Sequence, residues 1–413
     1  MTKAYFDHAA ASPLLAEARD AMMEFLGQEF GNPSSLHRHG QRPAEAVQRA
    51  REQVAALVHA APREIVFTAS ASEANNHAIR GLARARREKG RHVIVSAAEH
   101  LSVSQPARAL EKDGYELTVL GVDREGRVSP DELAGAIRPD TALVSVTHAS
   151  NDVGTIQDIA GLGKVCREHK VPFHSDGTAA VGRIPVDLGQ LGVDAYSFPA
   201  QSVYGPKGAA VLWLRKGVRI PSLIAGGFQE NNRRAGTENV AAIAGFGVAA
   251  EIAARELPGW SAGMARLGRR LRDELPAVVE RIVLTGPAED RLPGHFSLCV
   301  EFVEGEAMLL FLDDAGIAAA SGSSCAARNL KVAPVLLEMG LPHALAQTSL
   351  VLTLGKDSTD AEVDHFLASL PPVVERLRQL SPLYAKFRRG EDPYEVKPGD
   401  ACDDHHHDME EED

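Results

Sequence analysis

Cys325 stands in the run Ala320-Ser321-Gly322-Ser323-Ser324-Cys325-Ala326-Ala327, where small residues and a glycine suit a loop that presents a thiol to partners. A thiolate so placed acts as a nucleophile or a metal ligand, whereas the same residue packed in a core is inert. Near the C-terminus, Cys402, His405, His406 and His407 set soft and borderline ligands among carboxylates, a mixture that favours a divalent cation. The same residues also read as a solvated acidic tail or a docking segment for a basic partner surface, since no fixed ligand geometry can be read from them. Cys166 falls in an amphipathic helical stretch and Cys299 in a core-like strand, so both read as structural.

The elements that must position such groups follow from apolar periodicity. Strand-length runs occur at Ile65-Val66-Phe67, Val93-Ile94-Val95, Leu117-Thr118-Val119-Leu120, Leu143-Val144-Ser145-Val146, Val171-Pro172-Phe173-His174, Ala195-Tyr196-Ser197 and Ala210-Val211-Leu212-Trp213. Helical stretches such as 72–87 and 159–168 lie between several of them, which predicts an α/β domain with a mostly parallel sheet and a binding site at the carboxyl ends of its strands. A helical region over about 241–281 precedes a change of pattern. Phe296–Phe302 and 349–353 read as strands, 306–314 and 361–380 as helices, together a small α+β domain. The expected boundaries are 1–15 for an N-terminal arm of the small domain, 16–260 for the large domain, 261–390 for the small one, and 391–413 for an acidic tail too poor in apolar residues to fold alone.

Composition narrows the functional classes. The chain has 413 residues, 44% of them hydrophobic, enough for a large core. Its net charge of -12 is uneven, because the last fourteen residues hold eight acids and no Lys or Arg, leaving -4 elsewhere. Direct nucleic-acid binding therefore has little electrostatic support. The sequence shows neither a long apolar run nor a signal-peptide pattern at Met1-Thr2-Lys3-Ala4, and its four widely spaced cysteines form no CxxC pair. A cytoplasmic protein with free thiols, away from membranes, is the expectation.

Spaced motifs then identify a relationship. Tyr5-Phe6-Asp7-His8-Ala9-Ala10, Gly31-Asn32-Pro33-Ser34-Ser35-Leu36-His37, Tyr204-Gly205-Pro206-Lys207-Gly208 and Leu380-Ser381-Pro382-Leu383-Tyr384 strongly resemble segments of the NifS/IscS cysteine desulfurases, in the class V aminotransferase superfamily. The resemblance implies a fold type I, aspartate aminotransferase-like PLP-transferase architecture and pyridoxal phosphate (PLP) as cofactor. In that family a His-Lys pair precedes the Tyr-Gly-Pro-Lys-Gly turn, and its lysine holds PLP as a Schiff base. Gln201 and Ser202 stand at the matching positions, and a serine hydroxyl cannot form an imine.

Other positions matching the family's pattern are retained. Asp176 matches the partner of the pyridinium nitrogen, or else caps a turn; His100 matches the group that stacks on the ring, and Asn151 the one near the ring oxygen. Ser72 stands where the family has threonine, either donating to the phosphate at a helix start or serving as a plain N-cap. Thr237 matches a residue that reaches the phosphate of a neighbouring subunit, unless it simply caps the helix that follows. Pro199 and Ala179 replace a hydroxyl and a glutamine, and Val351 replaces the arginine that pairs with the substrate carboxylate. Lys207 is the alternative Schiff-base lysine, although active members carry it beside the true one; Lys356 is near enough in sequence to compensate for Val351 in part.

These losses share one task while lying far apart in sequence, which predicts a pseudoenzyme with respect to PLP chemistry, any PLP being held noncovalently. The resemblance places Cys325 in the family's mobile loop, as a persulfide acceptor or a transient iron-sulfur cluster ligand, and implies a homodimer that meets an iron-sulfur scaffold or other sulfur-acceptor protein. Two alternatives stay open: an active desulfurase using another lysine, and a non-catalytic subunit that partners an active paralogue.

Overall fold

The computed structural model describes residues 3–322 and 332–393. Strands are numbered in chain order: β1 Ala4–Tyr5, β2 Ile65–Thr68, β3 His92–Ser96, β4 Glu116–Leu120, β5 Thr141–Ser145, β6 Phe173–Asp176, β7 Ala195–Pro199, β8 Ala210–Leu214, β9 Ile282–Leu284, β10 His295–Val300, β11 Ile317–Ala318 and β12 Ser349–Thr353. Seven of them form one sheet in the order β2-β8-β7-β6-β5-β3-β4, in which β8 alone runs antiparallel to its neighbours. Continuous apolar runs such as Ala210–Leu214 follow from burial on both faces, because helices cover a parallel sheet on either side. The α/β fold with a mostly parallel sheet is thus the one the apolar runs predict.

A second unit is built from the antiparallel set β12-β10-β9 and the parallel pair β1-β11. The N-terminal strand pairs Ala4 with Ile317 and Tyr5 with Ala318, and Asp7 bridges to Thr353, so the first residues are woven into this later unit. Each unit has its own apolar core: Phe67, Val144, Phe173, Phe198 and Phe246 in the first, Phe6, Leu271, Phe296, Leu352 and Phe366 in the second. The helix Val240–Val278 serves both, with Phe246, Ala249 and Ala253 in the larger core and Leu267, Leu271 and Leu275 in the smaller. At about 1.5 Å per residue it is a strut on the order of 60 Å long. Among the described residues, no helix is long and apolar enough to cross a membrane.

Two buried carboxyl groups show how polar atoms are handled in this interior. Glu230 opens a segment in which Glu230, Asn231 and Asn232 all have positive φ (49°, 55° and 63°), a conformation disfavoured for side chains with a Cβ. Its carboxylate accepts a bidentate pair from Arg51, Nη1 to Oε2 at 2.8 Å and Nη2 to Oε1 at 2.7 Å, and also the amide of Phe67 at 2.9 Å. The Glu230 side chain is 2% exposed and Arg51 11%. Removing the arginine would strand a buried charge, so Arg51→Ala is expected to destabilise the fold by about 3–5 kcal/mol in equilibrium urea unfolding.

Glu99, just beyond β3, accepts from Ser96 Oγ at 2.5 Å and from the Thr147 amide at 2.7 Å, both at Oε1, while Oε2 is buried without a partner. Burial, reinforced by the nearby Asp176 carboxylate and opposed by these hydrogen bonds, pushes its pKa from 4.5 up to about 8. The folded state therefore holds a proton that the unfolded chain releases near pH 4.5, and this contribution to stability falls as pH rises from about 4.5 to about 8. Glu99→Gln is expected to flatten that part of the unfolding free-energy profile against pH; an unchanged slope would show that another group sets it.

Candidate functional site

Asp176 lies at the carboxyl end of β6, where parallel sheets form their sites, and is 3% exposed. Its Oδ2 accepts from Asn75 Nδ2 at 2.7 Å, and its Oδ1 accepts from the Thr178 amide at 2.9 Å and the Thr178 hydroxyl at 2.6 Å. The carboxylate thus makes a turn-capping contact and a contact to another element at once. Asn75, from the helix Ala71–Ala85, also donates to Ser102 Oγ at 2.9 Å. The Ser102 hydroxyl at 2.7 Å and amide at 3.1 Å both donate to His100 Nδ1, so this imidazole is the N-cap of the helix Leu101–Ala109. On the other side, the Ser202 hydroxyl donates to the Thr178 carbonyl at 2.7 Å. A continuous polar chain therefore runs from His100 through Ser102, Asn75, Asp176 and Thr178 to Ser202.

Local sequence explains the placement. Gly177 follows Asp176 because a Cβ there would lie 2.1 Å from the Tyr196 ring, whose hydroxyl meets His148 Nδ1 at 2.6 Å. Gly182, at φ +82°, lets the chain turn back with its Cα against the Ser202 carbonyl, which an added Cβ would approach to 2.1 Å. Ser202 sits in the short 3-10 turn Ala200–Val203, which ends in the left-handed Tyr204 (φ 61°).

Beside Ser202 a narrow cleft of about 20 Å³ is lined by Asn151, Ala179, Gln201, Ser202, Arg183, His8 and Tyr204, among others. That volume is close to what one or two waters require. The Asn151 carbonyl accepts from His295 Nε2 at 2.7 Å, and Gln201 Nε2 donates to the Ala10 carbonyl at 3.3 Å. Burial holds the imidazoles of His8 and His295 far below the ordinary histidine range, at about 4 and about 3, so both are neutral at pH 7.

The remaining expectations divide. Ser72 is inside the helix Ala71–Ala85 and does not cap it; Ser70 is the N-cap, its Oγ accepting from the Glu73 amide at 3.1 Å, because Ser70 has the extended backbone a cap needs. Thr237 is exposed, and Asn239 rather than Thr237 caps the long helix through the Ala242 amide. Val351 is buried in β12 opposite Ser297 and exchanges backbone hydrogen bonds with Ala320. Lys207 is exposed. Lys356 Nζ pairs with Asp357 at 2.6 Å. Cys166 and Cys299 are buried, and desolvation pushes both thiols up to about 12, consistent with structural roles. Cys325, Cys402, His405, His406 and His407 lie outside the described residues. Among the described residues, no group of three His, Cys, Asp or Glu side chains is arranged to hold a metal ion.

The cofactor that the resemblance implies is not matched by the residues present. Among the described residues no lysine lines the cleft. Both oxygens of Asp176 are already engaged within the chain, and the cleft is small against the roughly 300–1,000 Å³ of ordinary cofactor pockets. These residues do not fit covalently held PLP. Asn75, Ser102, Thr178 and Arg183 were not singled out by sequence; the small polar types recur too widely along the chain for a linear pattern to mark these copies.

The Aminotransferase class-V family matches residues 4–366. Over 384 residues the chain is 43% identical to cysteine desulfurase IscS of Dictyoglomus turgidum, covering 93% of this chain and 98% of that relative. It is 43% identical over 385 residues to cysteine desulfurase IscS 1 of Archaeoglobus fulgidus, covering 92% of this chain and 100% of the relative. A solved NifS-like protein has a TM-score of 0.85 at 31% identity, over 91% of this chain and 100% of that one. A cysteine desulfurase of Thermococcus onnurineus has a TM-score of 0.81 at 26% identity, over 91% and 95%. Sequence and three-dimensional likeness run together along nearly the whole chain, which therefore belongs to the cysteine desulfurase family of the class-V aminotransferases.

Proposed function

We propose that this protein serves sulfur mobilisation or iron-sulfur cluster assembly without the internal PLP Schiff base on which its relatives' chemistry depends. The observation that carries the reading is Ser202, whose hydroxyl lines the cleft and is held by the Thr178 carbonyl at 2.7 Å where the family's pattern has the lysine. Lys207 is exposed and Lys356 is paired with Asp357, so neither of the two alternative amines is presented to that cleft. The apolar Val351 adds a second loss, at the position that matches the family's carboxylate-binding arginine.

On this reading Cys325 is the working group. It receives persulfide sulfur from a donor protein or ligates a transient cluster, and it delivers to a scaffold or other sulfur-acceptor protein in the cytoplasm. Asp176, His100, Asn151 and Ser72 are then the remnants of a PLP pocket, with Thr237 at the position that the resemblance directs to a partner subunit. Cys402, His405, His406 and His407 form an auxiliary metal-binding tail. The protein works as a homodimer, a proposal supported by the apolar side chains exposed along one stretch of the chain: Met23 (60%), Leu26 (64%), Phe30 (75%) and Leu36 (96%).

Absorbance of the purified protein with PLP, borohydride trapping and sulfide release from L-cysteine test the central reading together. The expected result is no lysine-bound cofactor and no sulfide, whereas a trapped adduct on Lys207 or Lys356 with sulfide release would overturn it. In light-scattering chromatography the protein is expected to elute as a dimer, and Phe30→Ser with Leu36→Ser to shift it towards the monomer; a monomeric parent protein would remove the homodimer.

A further inference from the structure

Arg183 is a half-buried cation with no acidic partner among the described residues. Its Nη1 donates to the carbonyls of Leu354 at 3.0 Å and Pro293 at 3.2 Å, and touches Met264 Sδ at 3.6 Å. No hydrogen bond from its Nε or Nη2 and no ion pair to a carboxylate is present among the described residues. Burial lowers the pKa of this guanidinium, with Tyr204 acting the other way. Arg183 nevertheless lines the cleft beside Asn151 and Ser202.

The unused atoms matter, because Nε and Nη2 form the side-on fork of a guanidinium, which matches the two oxygens of a carboxylate. The neighbouring Asn151 amide adds a donor without competing charge, since its side chain makes no hydrogen bond among the described residues, whereas the Ser202 hydroxyl already gives its proton to the Thr178 carbonyl. His8 Nδ1 and His295 Nδ1 are buried without partners, and both rings are neutral near pH 7, leaving Arg183 as the cation of the cleft lining. A free volume of about 20 Å³, enough for one or two waters, leaves room for the two oxygens of a carboxylate and not for a larger group.

We propose that Arg183 makes this cleft a binding site for a small carboxylate, such as the carboxylate end of an amino acid, from a position different from the one that Val351 has vacated. The inference deepens the reading of the cleft as a site without a Schiff-base lysine and rests on it for the ligand's setting, but binding needs no PLP. Calorimetric titration of the full chain without PLP, using acetate, L-alanine and L-cysteine, is expected to give dissociation constants on the order of 1 mM or tighter. Arg183→Met is expected to weaken binding at least roughly tenfold, and Arg183→Lys to restore only part of it, since an ammonium lacks the planar fork.

Because Arg183 also ties down two backbone carbonyls, its replacement can unfold the chain. Side-chain nuclear magnetic resonance of the unmodified sequence labelled with 15N-arginine avoids that problem: acetate is expected to shift the Arg183 Nε–H signal but not that of the exposed Arg19. Failure of all three carboxylates to bind, or binding that leaves the Arg183 signal unmoved, overturns the site. Phosphate bound at Arg183 in preference to carboxylates overturns the ligand class. Sulfide release with PLP would instead overturn the proposed function and leave carboxylate binding standing, so the two failures are distinguishable.

Discussion

The constraint from which the site is built is the burial of the Asp176 carboxylate at the carboxyl edge of the large sheet. A carboxylate taken out of water must find donors, and here they come from Asn75 and Thr178. Asn75 draws the helix Ala71–Ala85 against the end of β6, and through Ser102 it also fixes the start of the helix Leu101–Ala109. Thr178 carries the constraint to Ser202. One desolvated acid thereby sets the relative positions of three connections, and the polar groups expected to meet a cofactor are held by one another.

The second organising feature is the way the chain returns to the site. β1 pairs with β11, and the following residues pass beside β12, so that His8 and Ala9 border the same cleft as Ser202. The Ala10 carbonyl accepts from Gln201, and the Lys356 amide donates to the Tyr204 hydroxyl at 2.6 Å. Contacts between residues separated by more than 150 positions therefore close the cleft from the side of the smaller core. The long helix Val240–Val278 supplies the rigid link, since its apolar face is buried in one core along its first half and in the other along its second.

Much of this architecture is legible in the sequence, and for a physical reason. Strands buried on both faces are continuous apolar runs, so β2, β3, β5 and β8 stand out without any knowledge of their order. The short pairs β1 and β11 and the edge strand β9 have no such signal, because their pairing comes from distant chain. Asp176, His100, Asn151 and Ser202 are visible through family motifs, yet the hydrogen bonding that links His100, Asp176 and Ser202 is not, since it depends on Asn75, Ser102 and Thr178. The choice between Ser70 and Ser72 as cap was likewise beyond a linear reading: the two hydroxyls lie two residues apart, and backbone dihedral angles decide which one reaches the Glu73 amide.

The replacements at 201, 202 and 351 also make sense together as electrostatics. Each exchanges a cationic or protonatable group of the family's pattern for a neutral one. The resemblance implies that the counter-charges of those groups are a phosphate dianion and the substrate carboxylate. Without the dianion, several cations confined in a narrow cleft would repel one another while remaining desolvated, and an unpaired buried charge costs several kcal/mol. On the reading proposed above, losing the cofactor therefore favours losing the cations that faced it, and a cleft relieved of both can retain a single guanidinium at little cost. Arg183 meets that condition, because backbone carbonyls of Leu354 and Pro293 satisfy its Nη1 and the residue lines the cleft.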